Sequence, residues 1–396
     1  MDRLRLALVG AGRRGCGAHL SVIAALQDAF ELVAICDRDP EVAQRVAAQY
    51  GARAFTHVAE MVESVQIDVA DVTVPADAHH PVACFLAAHG IHLLVETPIA
   101  VTRRTAAMMI EAATRHNVVL EVAENPYRAP VERLKQAAIR AGTIGEVSRI
   151  YHVFREGGYH GMSSVRIKAG ADPVALFGNR HVTPVTEIVD RAHRRHTEER
   201  WDLSLIDFAN GVQALMIYSN LVHARALGRG QGAISQIDGT EGTIVGDRLC
   251  IVPPERRDRG AQAIEYEPQR REEVQGGVRV LREIFYELPG GTIRWENPLA
   301  KYPLTESQIP VADELMAVYA AVVDGRPLEY GAESGYLDQA LNLAAEESAR
   351  RQREVLRFPL PDRFACEEQI EARYYEQYGH TVDEIEALLD VHFPRI

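Results

Sequence analysis

Residues 4–15 read Leu4-Arg5-Leu6-Ala7-Leu8-Val9-Gly10-Ala11-Gly12-Arg13-Arg14-Gly15. Apart from Arg5, the first half is apolar throughout, as in a strand covered on both faces. The second half spells G-x-G-x-x-G between that strand and a helical segment, the context in which the motif has a mechanism. Gly10 permits a tight turn, Gly12 lets the backbone approach a diphosphate, and Gly15 lets the helix pack close on the strand. The helix start adds partial positive charge. Arg13 and Arg14 share the loop and are read with it as cofactor contacts. About 20 residues further on, Asp37 closes a second apolar run, where a carboxylate accepts hydrogen bonds from an adenosine ribose and repels a 2′-phosphate. This predicts NAD as cofactor, and Arg38 keeps NADP open, because a guanidinium there can hold that phosphate.

Working outward, short β-branched runs at Leu4–Val9, Glu31–Cys36, Val69–Val74, His92–Val95 and Val118–Val122 alternate with helical patterns at Ala18–Ala29, Pro40–Tyr50, His80–His89 and Thr105–His116. Such alternation predicts βαβ units, a parallel sheet and, with right-handed crossovers, a doubly wound Rossmann domain over residues 1–125. The pattern changes after a helix at Pro130–Ala141. Strands are expected at Val147–Phe154, Asp202–Phe208, Val212–Tyr218, Ala233–Asp238, Thr243–Val245 and Leu249–Val252, with a helix around Ser163–Leu176 and a hairpin at Asn210-Gly211. The fold class is therefore α/β, with a C-terminal α/β domain, residues 126–360, on a largely antiparallel sheet. Pro253–Val280 lacks periodicity and reads as a surface excursion. Helices at Pro310–Val323 and Ser334–Gln352, which can pack back on the first domain, precede a last strand at Glu354–Pro359. A helical tail, 361–396, carries Cys366–Tyr378 and Val382–Leu389 as a packing arm or oligomer contact.

Composition narrows the partners. The chain of 396 residues carries 43 Lys and Arg against 56 Asp and Glu, a formal charge of −13, the wrong sign for a nucleic-acid backbone binder. No apolar run approaches the roughly 20 residues of a membrane span, and Gly10 arrives too early for a signal-peptide core, so a cytoplasmic protein is expected. The 5 cysteines are scattered without a Cys-x-x-Cys pair, which predicts reduced thiols. His193-x-x-His196 is too weak a pair to predict a metal, and no metal is expected.

The glycine loop, Val74-Pro75-Ala76-Asp77-Ala78-His79 and Gly90-Ile91-His92-Leu93-Leu94-Val95-Glu96-Thr97-Pro98, in that order, resemble the Gfo/Idh/MocA family of dinucleotide-dependent oxidoreductases. Ala141–Gly145, Asp238–Gly242 and Leu343–Ala349 extend the likeness to about residue 360. The resemblance implies a Rossmann domain, a second domain on an open antiparallel sheet, homodimers or homotetramers, and small polar substrates such as sugars or cyclitols. It also implies that Pro75 and Glu96 help position the cofactor.

Two departures stand out. Family members usually carry Glu-Lys-Pro, the Lys binding the reacting oxygen, where this chain has Glu96-Thr97-Pro98, and an alcohol does not titrate near neutral pH. A second family signature pairs an Asp with a His; in the same frame Tyr159 and Ser163 stand here instead. The proton chemistry is therefore expected on His160 or Tyr159, with Lys168 lowering the pKa of the phenol. Thr97, His79 and Asn125 are expected at the cofactor, and Tyr127, Arg128 and Ser163 at a small-molecule substrate, because ligands of doubly wound folds bind at the carboxyl edge of the sheet. The function expected is hydride transfer between NAD(P) and such a substrate. The alternatives are an imine reductase, a dinucleotide-holding lyase or epimerase, and a non-catalytic subunit.

Overall fold

The computed structural model describes residues 3–190, 194–228, 233–253, 257–258 and 262–394. Strands β1 (Leu4–Val9), β2 (Phe30–Cys36), β3 (Arg53–Phe55), β4 (Val69–Val72), β5 (His92–Val95) and β6 (Leu120–Val122) form one sheet in the order β3-β2-β1-β4-β5-β6. All neighbours are parallel. The connection reverses direction between β1 and β4, so their carboxyl ends flank the switch point where a doubly wound sheet opens a crevice. The strands are as apolar as two covered faces require, but β4 carries Asp71 fully buried. β3 escapes a sequence reading because three residues, of which only Phe55 is buried, leave no period to detect.

Helix boundaries follow local chemistry. Pro40–Tyr50 begins where the Asp39 carboxylate accepts the amides of Glu41 and Val42, and ends at Gly51, whose φ of 72° is left-handed. The helix predicted at Ala18–Ala29 instead runs as a π-turn, Gly15–His19, into Leu20–Ile23. The helix expected to start at His80 starts one turn earlier, as Ala76–Ala88, with Pro81 in its interior.

The second domain is built on a nine-stranded sheet. Its members are β7 (Val147–Val153), β8 (Pro173–Val189), β9 (Arg195–Phe208), β10 (Gln213–Ser219), β11 (Ile234–Gly239), β12 (Gly242–Val245), β13 (Arg248–Ile251), β14 (Ile264–Tyr266) and β18 (Leu356–Arg357). β15 (Gln269–Gln275), β16 (Val278–Leu288) and β17 (Gly291–Glu296) make a separate three-stranded sheet. Only the β7–β10 pair of the larger sheet is parallel. The stretch read as a surface excursion thus holds β14, β15 and the start of β16; its residues 254–256 and 259–261 lie outside the described residues. β15 hides its strand character because almost every side chain is exposed. β8 does so too, and the helix expected to reach Leu176 stops at Ala169, before the left-handed Gly170.

Three larger cores result. One lies on each face of the parallel sheet, and the third joins the nine-stranded sheet to the helices Pro130–Arg140, Gly158–Ala169 and Gly331–Arg350. The helix Ile309–Asp324 meets the first domain at β5 and β6 and places Val311, Leu315 and Val318 in the same core as Leu4, Leu6 and Leu8. Among the described residues, no helix is long and apolar enough to cross a membrane, and no cluster of His, Cys, Asp or Glu is placed to hold a metal ion; His193 lies outside them.

The third core contains a buried charge knot. Glu132 meets Lys135 at 2.7 Å and Lys168 at 2.8 Å, and Lys135 also meets Asp247 at 2.9 Å. Glu132→Gln leaves two buried ammonium groups short of a counter-charge. We expect a loss of about 3 to 5 kcal/mol, read as a lower urea midpoint for the transition followed by Trp201 and Trp295, both in this domain. An unchanged midpoint would show that the knot contributes nothing.

Candidate functional site

The glycine loop has the shape its spacing predicts. Gly10 takes φ +100°, and a Cβ there would lie 2.8 Å from the Thr73 and Val74 backbone; at Gly15 it would strike the Gly10 carbonyl oxygen at 2.3 Å. At Gly12 a Cβ meets no protein atom within 4 Å, and Gly12 lines a cavity of about 410 Å³. That volume lies within the range of small-molecule sites. The same cavity is lined by Asp37, Arg38, Thr73, Val74 and Pro75. One Asp37 oxygen accepts the Ala11 amide at 2.8 Å and the other the Asp39 amide at 2.9 Å, which holds the carboxylate at the rim. These residues fit a dinucleotide: an open backbone turn for the diphosphate and a fixed carboxylate for the ribose.

Further along the carboxyl edge, Glu96 ends β5 within a buried network. His19 places Nδ1 2.8 Å from Asp71 and Nε2 2.9 Å from Glu96. Carboxylates only accept, so both ring nitrogens donate and the ring is an imidazolium. Burial alone would lower its pKa, but the two carboxylates raise it to about 10. Burial likewise opposes ionised Glu96, yet His19 and Arg14 hold it at about 2. Glu314 is fully buried with no hydrogen-bond partner for either oxygen among the described residues, and burial pushes its carboxyl well above the carboxylate range. Within the paired groups, two cations, His19 and Arg14, face two carboxylates, Asp71 and Glu96. The network fixes Glu96, which in turn accepts the Thr97 amide at 2.9 Å.

Beyond β6 the chain brings Glu124 against His160, a pairing not legible in sequence. Glu124 is fully buried and accepts His160 Nδ1–H at 2.8 Å and the Ser163 hydroxyl at 2.6 Å. The opposite ring nitrogen of His160, Nε2, lies 3.5 Å from the Thr97 hydroxyl, and the side chain is 39 % exposed. Burial lowers the His160 pKa, but the Glu124 hydrogen bond and charge outweigh it and raise it. The carboxylate therefore fixes the tautomer and leaves Nε2 as the free proton site facing Thr97. His160 also lines an open cleft of about 820 Å³ together with Gly157, Gly158 and Tyr218, and with Arg155, Arg200 and Arg225.

Several expected site residues sit elsewhere. Tyr159 is buried in the first core, its hydroxyl 2.8 Å from that of Tyr330, which donates to Asp338 at 2.5 Å. Burial, with Glu124 and Asp338, drives the phenol upward, the reverse of the expectation. Lys168 does not assist it, being committed to Glu132. Arg128 is fully buried and paired with Asp313 at 3.0 Å, held there by the charge of the helix Ile309–Asp324 instead of facing a cleft. Tyr127 is buried and stacks on Tyr330 at 5.6 Å. His79 is buried, its ring nitrogens 2.9 and 3.0 Å from the carbonyls of Pro98 and Val74, so it ties two loops together. Ser163 reaches Glu124 and the His160 carbonyl. Arg13 is exposed, Asn125 is half-buried at the start of the turn Pro126–Arg128, and Pro75 caps the helix Ala76–Ala88.

A model of the Gfo/Idh/MocA oxidoreductase family, NAD-binding Rossmann fold, matches residues 4–124. The rhizopine catabolism protein MocA of Rhizobium meliloti is 33 % identical over 151 residues, 37 % of this chain and 45 % of that protein. The chain thus spans under half the length of the first curated relatives it matches. D-apiose dehydrogenase of Rhizobium rhizogenes is 24 % identical over 329 residues, 76 % of this chain and 90 % of its own length. An oxidoreductase from Agrobacterium radiobacter, solved with NAD+, L-tartaric acid and magnesium, superposes with a TM-score of 0.65 at 21 % identity, covering 90 % of this chain and 98 % of that one. At that identity the likeness is one of fold.

The His19–Glu96 network makes stability depend on pH. Glu96, lowered from 4.5 to about 2, contributes fully above about pH 4.5 and loses its contribution as pH falls through 2. His19, raised from 6.5 to about 10, contributes fully below about 6.5 and loses its contribution as pH rises through 10. The Tm difference between the native protein and Glu96→Gln is therefore expected to peak between about pH 4.5 and 6.5 and to shrink on both sides. A difference flat across pH would refute the charge assignment.

Proposed function

We propose that this chain, whose residues 4–124 match the model of the Gfo/Idh/MocA oxidoreductases, moves a hydride between NAD(P) and a small polar substrate of the sugar or cyclitol class, with His160 as its proton donor and acceptor. The observation that carries the reading is the line Glu124–His160–Thr97 across the carboxyl ends of β6 and β5, with Nε2 on the Thr97 side and the His160 side chain lining an open cleft. The dinucleotide supplies or accepts the hydride when bound. The chain's own groups do the rest. Gly10, Gly12 and Gly15 shape the diphosphate turn, Asp37 meets the ribose, and Glu96, fixed by His19 and Arg14, holds the Thr97 loop in place. When an alcohol is oxidised, neutral His160 removes the hydroxyl proton at Nε2, and buried Glu124 stabilises the imidazolium that forms. In the reverse direction the same nitrogen returns it. The Thr97 hydroxyl is placed to hydrogen-bond the reacting oxygen but carries no charge.

The cleft supports an acidic substrate. Arg155 and Arg225 are exposed on its wall and Arg200 joins them, although Arg200 is shared with Asp202 at 3.1 Å, and such guanidinium groups suit a carboxylate or phosphate. The β8–β9 arm, with Val182 and Val189 exposed at 46 and 55 %, supports a homodimer or homotetramer, which light scattering would establish. The 5 free cysteines suit a reducing cytoplasm.

Net turnover is read by the reduced-nicotinamide absorbance with a panel of sugar acids, sugars and cyclitols. A lyase or epimerase would convert substrate with no lasting absorbance change. His160→Asn should lower kcat by about 10²- to 10⁴-fold with dinucleotide affinity kept. Because Glu124 raises the His160 pKa, Glu124→Gln should move the pH limb of the oxidation rate to lower pH. Near-native turnover in His160→Asn, or an unmoved limb in Glu124→Gln, would remove His160 from the chemistry.

A further inference from the structure

The cavity at Asp37 is not closed by the first domain alone. Leu388, Leu389, His392 and Phe393 of the C-terminal tail form its outer wall, opposite Gly12 and Asp37. The tail is bolted down before it arrives there. Arg103 and Glu367, both buried, pair at 2.5 Å, at the start of the helix Ala365–Tyr378. Pro81, lacking an N–H, leaves the Asp77 carbonyl without its helical donor, and the Tyr374 hydroxyl donates to that carbonyl at 3.1 Å. The Tyr378 hydroxyl donates to the Asp77 carboxylate at 2.5 Å. Next along, His80 Nε2 lies 3.1 Å from the Val382 carbonyl, and burial keeps that ring neutral and able to donate from this nitrogen. Leu389 then enters the same core as Val58 and Val82, which also line the cavity, and Leu388 is fully buried. Phe393 packs its ring 4.7 Å from that of Tyr378.

The tail also engages the residue that left the cofactor open. Arg38 Nη1 donates to the Asp390 carbonyl at 2.9 Å, so the guanidinium at the end of β2 already has a partner. Asp37 and Asp39 line the same rim. A 2′-phosphate would meet these two carboxylates while its natural cation is turned to the tail. An adenosine with a free ribose hydroxyl meets a hydrogen-bond acceptor and an apolar wall instead.

We propose that residues 385–394 are a built wall of the adenosine half of the dinucleotide site and, by holding Arg38, select NAD over NADP. This rests on the oxidoreductase reading above. The test is fluorescence titration of the full chain, and of a chain ending at Glu384, with NADH and with NADPH, circular dichroism reporting the fold. The full chain should bind NADH at least about 100-fold tighter than NADPH. The shortened chain should lose at least about tenfold in NADH affinity and discriminate less. Should it not fold, Phe393→Ala decides the wall, with NADH affinity expected to fall about tenfold. Arg38→Ala decides the selection: a committed Arg38 leaves the NADPH affinity no weaker, whereas a phosphate clamp loses NADPH binding alone. A full chain that binds NADH while the shortened chain and Phe393→Ala bind it equally well overturns this inference and spares the oxidoreductase. Tighter NADPH than NADH binding by the full chain overturns the selection. Failure of the full chain to bind either dinucleotide overturns the oxidoreductase reading and this inference with it.

Discussion

The closeness of β1 to β4 at their carboxyl ends governs what this molecule can hold. Gly10 turns with φ +100° against the Thr73 backbone, and Gly15 brings the following helix against the Gly10 carbonyl. No side chain fits at either point, so the turn stays tight and the crevice between the strands stays open. The strand order β3-β2-β1-β4-β5-β6 then distributes chemistry along one edge: Asp37 after β2, Thr73 to Pro75 after β4, Glu96 and Thr97 after β5, Glu124 after β6. That order supports a dinucleotide lying along the edge, with its adenosine toward Asp37 and its nicotinamide toward Thr97.

Buried charge along this edge comes in two kinds. The His19 imidazolium is enclosed by two carboxylates with no exit to solvent, so its proton is held to a pH far above neutral and its role is to fix Glu96. His160 has a single carboxylate on one nitrogen and the Thr97 hydroxyl 3.5 Å from the other, and its side chain lines an open cleft. That difference in partners and exposure supports the proton exchange proposed for His160 and the positioning role of His19.

Fold class was legible because its signals are local and periodic: the apolar run into the glycine loop, the helical spacing of Pro40–Tyr50, the Asn210-Gly211 turn. β3, β8 and β15 were not, since a three-residue strand or a largely exposed one carries no alternation. The cofactor edge was legible for the same local reason, Asp37 ending an apolar run being an example. The Glu124–His160 pair was not, because it joins residues far apart in the chain and no spacing encodes it. His160 stood out by lying among glycines, whereas nothing in the residues around Glu124 marks it. Tyr159, Lys168 and Arg128 were drawn toward the site by their residue types. Their burial depends on Tyr330, Glu132 and Asp313, partners that only the tertiary fold supplies.

On the proposed reading, Thr97 in the place expected of a lysine and His160 form one electrostatic arrangement. Thr97 Oγ1 lies 3.5 Å from His160 Nε2. An ammonium group in that space would face the nitrogen that must gain a proton, and at a few ångströms in a partly excluded site such like-charge repulsion amounts to several kcal/mol. It would offset what Glu124 contributes and hold the ring neutral. A short hydroxyl leaves the Glu124 carboxylate as the nearest charge to the ring, which favours protonation at Nε2. The cost is that no fixed cation stabilises a developing alkoxide. In the proposed reaction, proton removal by His160 would then have to keep pace with hydride departure, which would tie the rate to the state of one imidazole more closely than in a lysine-bearing site.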